Sequence, residues 1–158
     1  MSDMHADSGG GTTVNLKTSA RNQLIGAVLQ VTKGAVNDEV SIVLDGSGAR
    51  VVAIVTGTST KSLGLEPGKK VVVLVKAPWV ILVAEMEGVK FSARNQLPGT
   101  VASIKEGVVN AEVRVRLDGG EVITAIVTIE SVKYLELEPG KRVTAMIKAS
   151  HLILGAIQ

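Results

Sequence analysis

Short stretches of alternating apolar and polar residues run along this chain, broken by turn signals roughly every ten residues. Val and Ile dominate the apolar positions. A two-residue period with β-branched side chains predicts strands, and regular turn spacing predicts a small barrel or sandwich. The pattern predicts strands over Leu24–Val31, Glu39–Leu44, Arg50–Thr56, Lys70–Lys76 and Trp79–Val83. It then predicts Leu97–Lys105, Ala111–Leu117, Glu121–Thr128, Arg142–Lys148 and Leu152–Ala156. Asp45-Gly46 and Asp118-Gly119 read as hairpin turn dipeptides. Glu66-Pro67-Gly68-Lys69 and Glu138-Pro139-Gly140-Lys141 place Pro and Gly as a type II turn requires. Between the third and fourth strands of each set, Ser59–Leu63 and Glu130–Leu135 fit one short helix, with Thr58 or Thr128 near its cap. Five strands with a helix after the third is the OB plan. The expected fold class is therefore all-β: two tandem OB-like five-stranded β-barrels, each with one short helix.

One strand breaks the alternation. Val71-Val72-Val73-Leu74-Val75 is apolar throughout, whereas a strand with one wet face should alternate. Burial on both faces is implied. A locally thick core would provide it, and so would a subunit or domain interface lying over the strand.

The two sets of strands are one module written twice. Ser-Ala-Arg-Asn-Gln occurs at Ser19–Gln23 and again at Ser92–Gln96, and both copies run on through L-D-G, A-I-V-T, L-E-P-G-K and K-A. Internal repeats of this kind define the architecture. The expected division is a flexible N-terminal tail and lead-in over 1–18, a first module over 19–83, a linker over 84–91 and a second module over 92–158. Modules of about 65 residues bury only about 60% of their unfolded surface and are marginal alone. They are expected to pack together or to oligomerise. Core identities such as Val28/Val101 and Leu44/Leu117 say only that both copies fold alike. The polar identities need another reason: Ser19/Ser92, Arg21/Arg94, Asn22/Asn95, Asn37/Asn110, Thr56/Thr128, Ser59/Ser131 and Lys76/Lys148. Packing rarely demands such groups.

Charge and composition remove several function classes. The 158 residues carry 17 basic and 15 acidic side chains, so no strong field for nucleic acid or acidic membrane is expected. There is no cysteine, which removes disulfides, iron–sulfur clusters and thiol chemistry. The first residues lack an apolar signal segment and no apolar run approaches a membrane span, so a cytoplasmic location is expected. Only His5 and His151 could act as imidazole bases, and His151 corresponds to Trp79 in the first copy. A catalytic base replaced by Trp in the other copy is improbable, and side-chain ligation of a transition metal has no ligand set. No enzyme activity is expected. One Phe, one Trp and one Tyr do not make the stacking platform by which OB-folds hold single strands, so no nucleic-acid partner is expected.

The repeated polar groups are hydroxyls, a guanidinium, an amide and an ammonium. Each pair could be a cap or a surface salt bridge. Together they are what a desolvated oxyanion needs: nearly complete donor satisfaction, one or two fixed cations, and no acceptor.

The motifs S-A-R-N-Q-L-x-G-x-V, G-A-V-N-D-E-V or G-V-V-N-A-E-V, A-I-V-T-x-x-S, L-E-P-G-K, and V-K-A-P-W-V-I-L or I-K-A-S-H-L-I-L resemble the Mop domain, the molybdenum-oxyanion-binding module. The match covers Ser19–Val83 and Ser92–Ile157, and two copies without further domains resemble the tandem molybdate-binding proteins called molbindins. The resemblance implies an OB-like barrel, no cofactor, and molybdate or tungstate held between subunits of a homo-oligomer, a trimer of two-module chains. It implies storage or homeostasis of molybdenum rather than chemistry. Carried over residue by residue, Ser92, Arg94 and Asn95 form one wall of a pocket. Thr128, Ser131, Lys148, Ala149 and Ser150 come from a neighbouring module. Ser19, Arg21, Asn22, Thr56, Ser59, Lys76 and Ala77 are the set from the first copy. Lys76-Ala77 is followed by Pro78 rather than Ser, which removes a hydroxyl and a backbone N–H. A second kind of site, on the oligomer axis, is implied at Val36, Asn37, Val109 and Asn110. No site for a free metal cation is implied.

A donor-only pocket should take molybdate and tungstate, respond more weakly to sulfate because its bonds are shorter, and reject phosphate, whose proton finds no acceptor. The alternative is the effector half of a molybdate-responsive regulator. That protein also needs a helix-turn-helix, which the residues ahead of the first module are too few to supply if the chain is complete.

Overall fold

The computed structural model describes residues 4–7 and 13–158, with side chains from Leu16 onward. In chain order the elements are β1 (Met4–Asp7), β2 (Thr13–Leu16), β3 (Asn22–Thr32), β4 (Asn37–Leu44), β5 (Arg50–Thr56), α1 (Gly57–Leu63), β6 (Lys70–Val75), a 3-10 turn (Ala77–Trp79) and β7 (Ile81–Val83). They continue with β8 (Asn95–Glu106), β9 (Asn110–Leu117), β10 (Val122–Thr128), α2 (Ile129–Tyr134), β11 (Arg142–Ile147), a second 3-10 turn (Ala149–His151) and β12 (Ile153–Ala156). The expected strands and helices are present, with ends that move by a few residues. The two K-A-x-x segments form 3-10 turns before their last strands, which shortens those strands.

The chain forms two compact units, Met1–Val75 with Ala149–Gln158, and Lys76–Lys148. Each holds a five-stranded antiparallel sheet. In the first unit the order is β12-β6-β3-β4-β5, and in the second it is β10-β9-β8-β11-β7. The last strand of each sequence repeat is thus exchanged. Ile153–Ala156 pairs with β6 of the first copy, and Ile81–Val83 pairs with β11 of the second. The sequence modules 19–83 and 92–158 and the compact units differ by this exchange. Sequence identity cannot reveal it, because I-L follows K-A-x-x-x in both copies and either strand suits either edge.

Alternation does the expected work inside each sheet. Val40, Ile42 and Leu44 on β4, and Val113, Val115 and Leu117 on β9, are all buried, and their odd-numbered neighbours on β4 or even-numbered ones on β9 point outward. Each fully buried Val, Leu or Ile contributes about 1.5–3 kcal/mol. The Val71–Val75 run lies between β12 and β3, with Val71, Val72, Val73 and Val75 buried. Gly155 on β12 lies opposite Val72 and leaves room for its side chain.

Curvature comes from matched devices. β3 carries a bulge between Val28 and Gln30 and β8 one between Val101 and Ser103. A bulge bends its strand and strengthens the twist. The E-P-G-K turns close on these bulges: Val28 N donates to Lys69 O and Gly68 N to Val28 O, and Val101 with Lys141 and Gly140 repeats the arrangement. Gly68 (φ 93°) and Gly140 (φ 96°) take the left-handed position of the type II turn, and Lys69 N and Lys141 N close it on Glu66 O and Glu138 O, each at 3.0 Å. The edge strands β5 and β12 approach each other, as do β10 and β7. Each sheet is therefore a curled half-barrel.

Three local expectations are corrected. The Asp-Gly dipeptides are not two-residue hairpin loops. Leu44 N donates to Ala49 O across a longer loop whose left-handed residue is Gly48, and in the second unit that residue is Gly120. The cap of α1 is Thr56 rather than Thr58, because the strand ends one residue before the helix begins. Within the expected tail, Met4–Asp7 and Thr13–Leu16 pair as an antiparallel hairpin; the remainder of that tail, 1–3 and 8–12, lies outside the described residues. Among the described residues no helix is long and apolar enough to cross a membrane.

Candidate functional site

The repeated Thr and Ser residues lie at the junction from the third strand of each copy to its helix. Thr56 Oγ1 accepts the Ser59 amide at 3.1 Å and donates to Ser59 Oγ at 2.9 Å. Thr128 and Ser131 repeat this at 3.0 and 2.9 Å. Each threonine is the N-cap of its helix, so its identity in both copies has a structural reason. Two hydroxyls share one bond, which leaves one hydroxyl proton of each pair available to an acceptor. Both threonines are exposed and both serines half-buried.

The asparagines of S-A-R-N-Q open the first strand of each sheet. Asn22 and Asn95 are each only 2% exposed, and the Asn22 side-chain amide donates to Val75 O at 3.2 Å. Asn22 therefore pins the end of β6, the residue before Lys76. Arg21 and Ser19, and Arg94 and Ser92, are exposed on the same lead-ins. In the second unit Asn95 lies opposite Ile147, so Arg94 and Lys148 flank that pair at the sheet's end. Both are exposed.

The K-A segments build tight turns. Ala77 and Ala149 are buried, at 1% and 4%, while Lys76 and Ser150 are exposed. Lys76 Nζ sits 5.6 Å from the centre of the Trp79 ring, within reach of a cation–π attraction. The turn Ala77–Trp79 packs on β10, and the turn Ala149–His151 packs on β5. The strand exchange thus changes the grouping expected from the repeats. Thr128 and Ser131 share a depression of about 380 Å³ with Pro78, Ile81 and Asn110, because β7 and not β12 completes that sheet. Ser150 belongs to the unit that contains Thr56 and Ser59.

The turns proposed for an axial site present their apolar side chains to solvent: Val36 is 74% exposed and Val109 68%. Their carbonyls accept the first helical amides, Gly57 N and Ile129 N, each at 2.9 Å. Asn37 and Asn110 are exposed. Next to the first of these turns lies a residue the polar identities could not flag. Asp38 is 3% exposed, and its counterpart is Ala111. The Thr60 hydroxyl beside it, the Gly34 amide and the Lys33 charge hold its carboxyl below the usual carboxylate range against the opposing effect of burial. Its signal in the sequence is a difference between the copies, not an identity.

Among the described residues no group of three or more His, Cys, Asp or Glu side chains could hold a metal ion. The recurring chemistry is that of donors: exposed cations, hydroxyls with an available proton, and backbone amides at tight turns. Such a set suits an oxyanion.

Comparison with known proteins agrees with that chemistry. The TOBE domain matches residues 18–82 and 92–154. The molybdenum-pterin-binding protein MopA of Rhodobacter capsulatus is 42% identical over 90% of this chain and 53% of its own length. The molybdenum transport protein ModE of Azotobacter vinelandii is 43% identical over 90% of this chain and 52% of its own. The chain spans about half the length of these curated relatives. The solved structure of the cytoplasmic molybdate-binding protein ModG, with molybdate bound, is 51% identical and superposes with a TM-score of 0.87, covering 90% of this chain and all of that one. With both repeats matched in this way, the chain belongs to the TOBE-domain family, carrying the domain twice.

Proposed function

We propose that this protein binds molybdate or tungstate as a tandem Mop-type module and serves intracellular molybdenum storage or homeostasis. The observation that carries the reading is the likeness to ModG over the whole of that chain, joined to donors that recur at the same places in both units. The anion is held by Ser131 and Ser59 hydroxyls, the hydroxyl and amide of Ser150, the amides of Ala77 and Ala149, and the charges of Arg21, Arg94, Lys76 and Lys148. Ser19 and Ser92 complete the set, Thr56 and Thr128 give their hydroxyl protons to Ser59 and Ser131 and so orient those donors, and Asn22 and Asn95 set the strand ends that position it. No step of covalent chemistry is required. The assembly is a homo-oligomer, a trimer of two-module chains in the cytoplasm, and Val36 and Val109 with Asn37 and Asn110 line its axial site. Neither nucleic acid nor membrane is a partner.

The effector half of a transcription regulator is the competing reading, motivated by the similarity to ModE over half of that protein. The likeness to ModG, which is matched from end to end at 51% identity, favours the stand-alone reading. Native mass spectrometry with and without molybdate tests the proposal. Bound anions in whole-number complement on a trimer are expected, and a monomer that retains no molybdate would refute it.

A further inference from the structure

The turn after β6 carries a cation held against a ring. Lys76 Nζ lies 5.6 Å from the centre of the Trp79 ring. Lys76 caps this turn and Trp79 closes it, its amide donating to Lys76 O at 3.0 Å. A 3-10 turn brings positions i and i+3 to one side, so the two side chains share a face. Among aromatic side chains Trp attracts a cation most strongly. The second copy has no such pair, because Pro78 and Trp79 are replaced there by Ser150 and His151. The 3-10 turn forms in both copies. The fold therefore does not need the indole.

The ring holds the charge away from the hydroxyls. Ser131 Oγ accepts the Thr128 hydroxyl at 2.9 Å and has its own proton to give. Both residues line the depression of about 380 Å³ in the second unit, and Pro78 of the turn lines it with them. Neither Lys76 nor Trp79 is among its lining residues. Successive residues of a 3-10 turn point about 120° apart, which sets Pro78 off from the face that Lys76 and Trp79 share. Pro78 has neither a hydroxyl nor an amide hydrogen to offer. Resting on the ring, Lys76 brings no charge to Ser131. An anion there must draw the lysine off the indole to gain that charge. Whatever stabilises the unoccupied arrangement weakens binding by the same amount.

We propose that Lys76 and Trp79 form an anion-responsive latch, which makes this donor site the weaker of two in the chain. Lys76 rests on Trp79 until an oxyanion at Ser131 pulls it away. Ser150 shares its unit with Thr56 and Ser59, and the site built there has neither the indole nor the proline. That site fills first, and the latched site takes up anion only at higher concentration. Two unequal sites respond over a wider range of anion concentration than two equal ones. This latch presupposes the oxyanion reading proposed above and adds the order in which the sites fill.

Calorimetric titration of the full chain with molybdate is expected to resolve two classes of site. Their dissociation constants should differ by at least about tenfold, as the loss of hydrogen bonds to a charged ligand implies. Trp79 is the one tryptophan of the chain, so tryptophan emission reports the latch. Emission should stay flat while the tight class fills and change as the weak class fills. This readout uses the unaltered protein and depends on no variant folding. Trp79→His installs the residue of the second copy. It should tighten the weak class by about two- to fivefold, the worth of an exposed cation–π contact, and leave the tight class unchanged. Pro78→Ser should tighten the weak class further. Thermal melts without ligand check that each variant is folded. No heat of molybdate binding in the unaltered protein would refute the oxyanion reading and the latch with it. Molybdate binding to a single class of site, emission that follows the tight class, or weaker binding by folded Trp79→His would overturn the latch and leave that reading standing.

Discussion

The side-chain amide of Asn22 donates to the carbonyl of Val75 across 53 residues of sequence, at 3.2 Å and in a buried setting. This bond ties the first residue of β3 to the last residue of β6, so the two cationic positions Arg21 and Lys76 lie one residue beyond a fixed pair. Removing one partner of a buried hydrogen bond costs about 1–3 kcal/mol. Asn22→Ala should lower unfolding stability by that amount in urea titrations. Arg21→Ala, at an exposed position, should stay within about 0.5 kcal/mol. Equal effects would mean that Asn22 is not the pin.

Thr128 and Ser131 divide a cap from a donor. Thr128→Ala removes the cap of α2 and should destabilise by about 1 kcal/mol. Ser131→Ala leaves the cap's amide bond in place and should barely change the melt. It should weaken molybdate binding by about 1.5–3 kcal/mol, the value of a hydrogen bond to a charged group. A thermal melt and a molybdate titration of each variant separate the two roles.

Glu136 has φ 52°, a left-handed conformation that costs a non-glycine residue about 1–2 kcal/mol. The corresponding residue in the first copy is Gly64, at φ 63°. Glu136→Gly should therefore raise stability, by up to about 1 kcal/mol once the larger entropy of the unfolded chain is counted. A lowered melting temperature would show that the glutamate side chain makes a contribution of its own.

Acid should remove a specific contact. Arg142 donates to both carboxylate oxygens of Asp118, at 2.6 and 2.9 Å, and these bonds hold Asp118 below the usual carboxylate range. A folded value below the unfolded one means that the contribution is present above the unfolded pKa of about 3.9 and is lost as pH falls through the folded value. The difference in melting temperature between the unaltered protein and Asp118→Asn should be constant from about pH 5 to 8 and shrink below about pH 4. A difference that shrinks on the alkaline side would contradict the assignment.

Much of this fold was legible because the forces that set it are local. Alternation at Val40-Ser41-Ile42-Val43-Leu44 fixes a face, and Pro67-Gly68 fixes a turn whatever surrounds it. The strand exchange was not legible, because Ile81-Leu82-Val83 and Ile153-Leu154-Gly155 fit either sheet edge and the choice depends on chain path. The helix caps were half-legible: Thr56 and Thr128 stood out as repeated polar residues, but their capping role and their donor role leave the same trace in sequence. Asp38 stayed hidden for the opposite reason. A polar residue present in one copy only cannot be found by comparing what the copies share.

The central claim is tested most directly by thermal melts of the unaltered protein and Lys148→Ala, each with and without molybdate. A ligand that binds only the folded state stabilises it by about 2.7 kcal/mol at a hundredfold excess over its dissociation constant. Losing a full charge from a desolvated anion site costs about 2–5 kcal/mol of binding. Because Lys148 is exposed at the sheet's end, the account predicts an unchanged melt without ligand and loss of most of the molybdate-induced shift. A full shift in Lys148→Ala, or a collapsed fold without ligand, would contradict it.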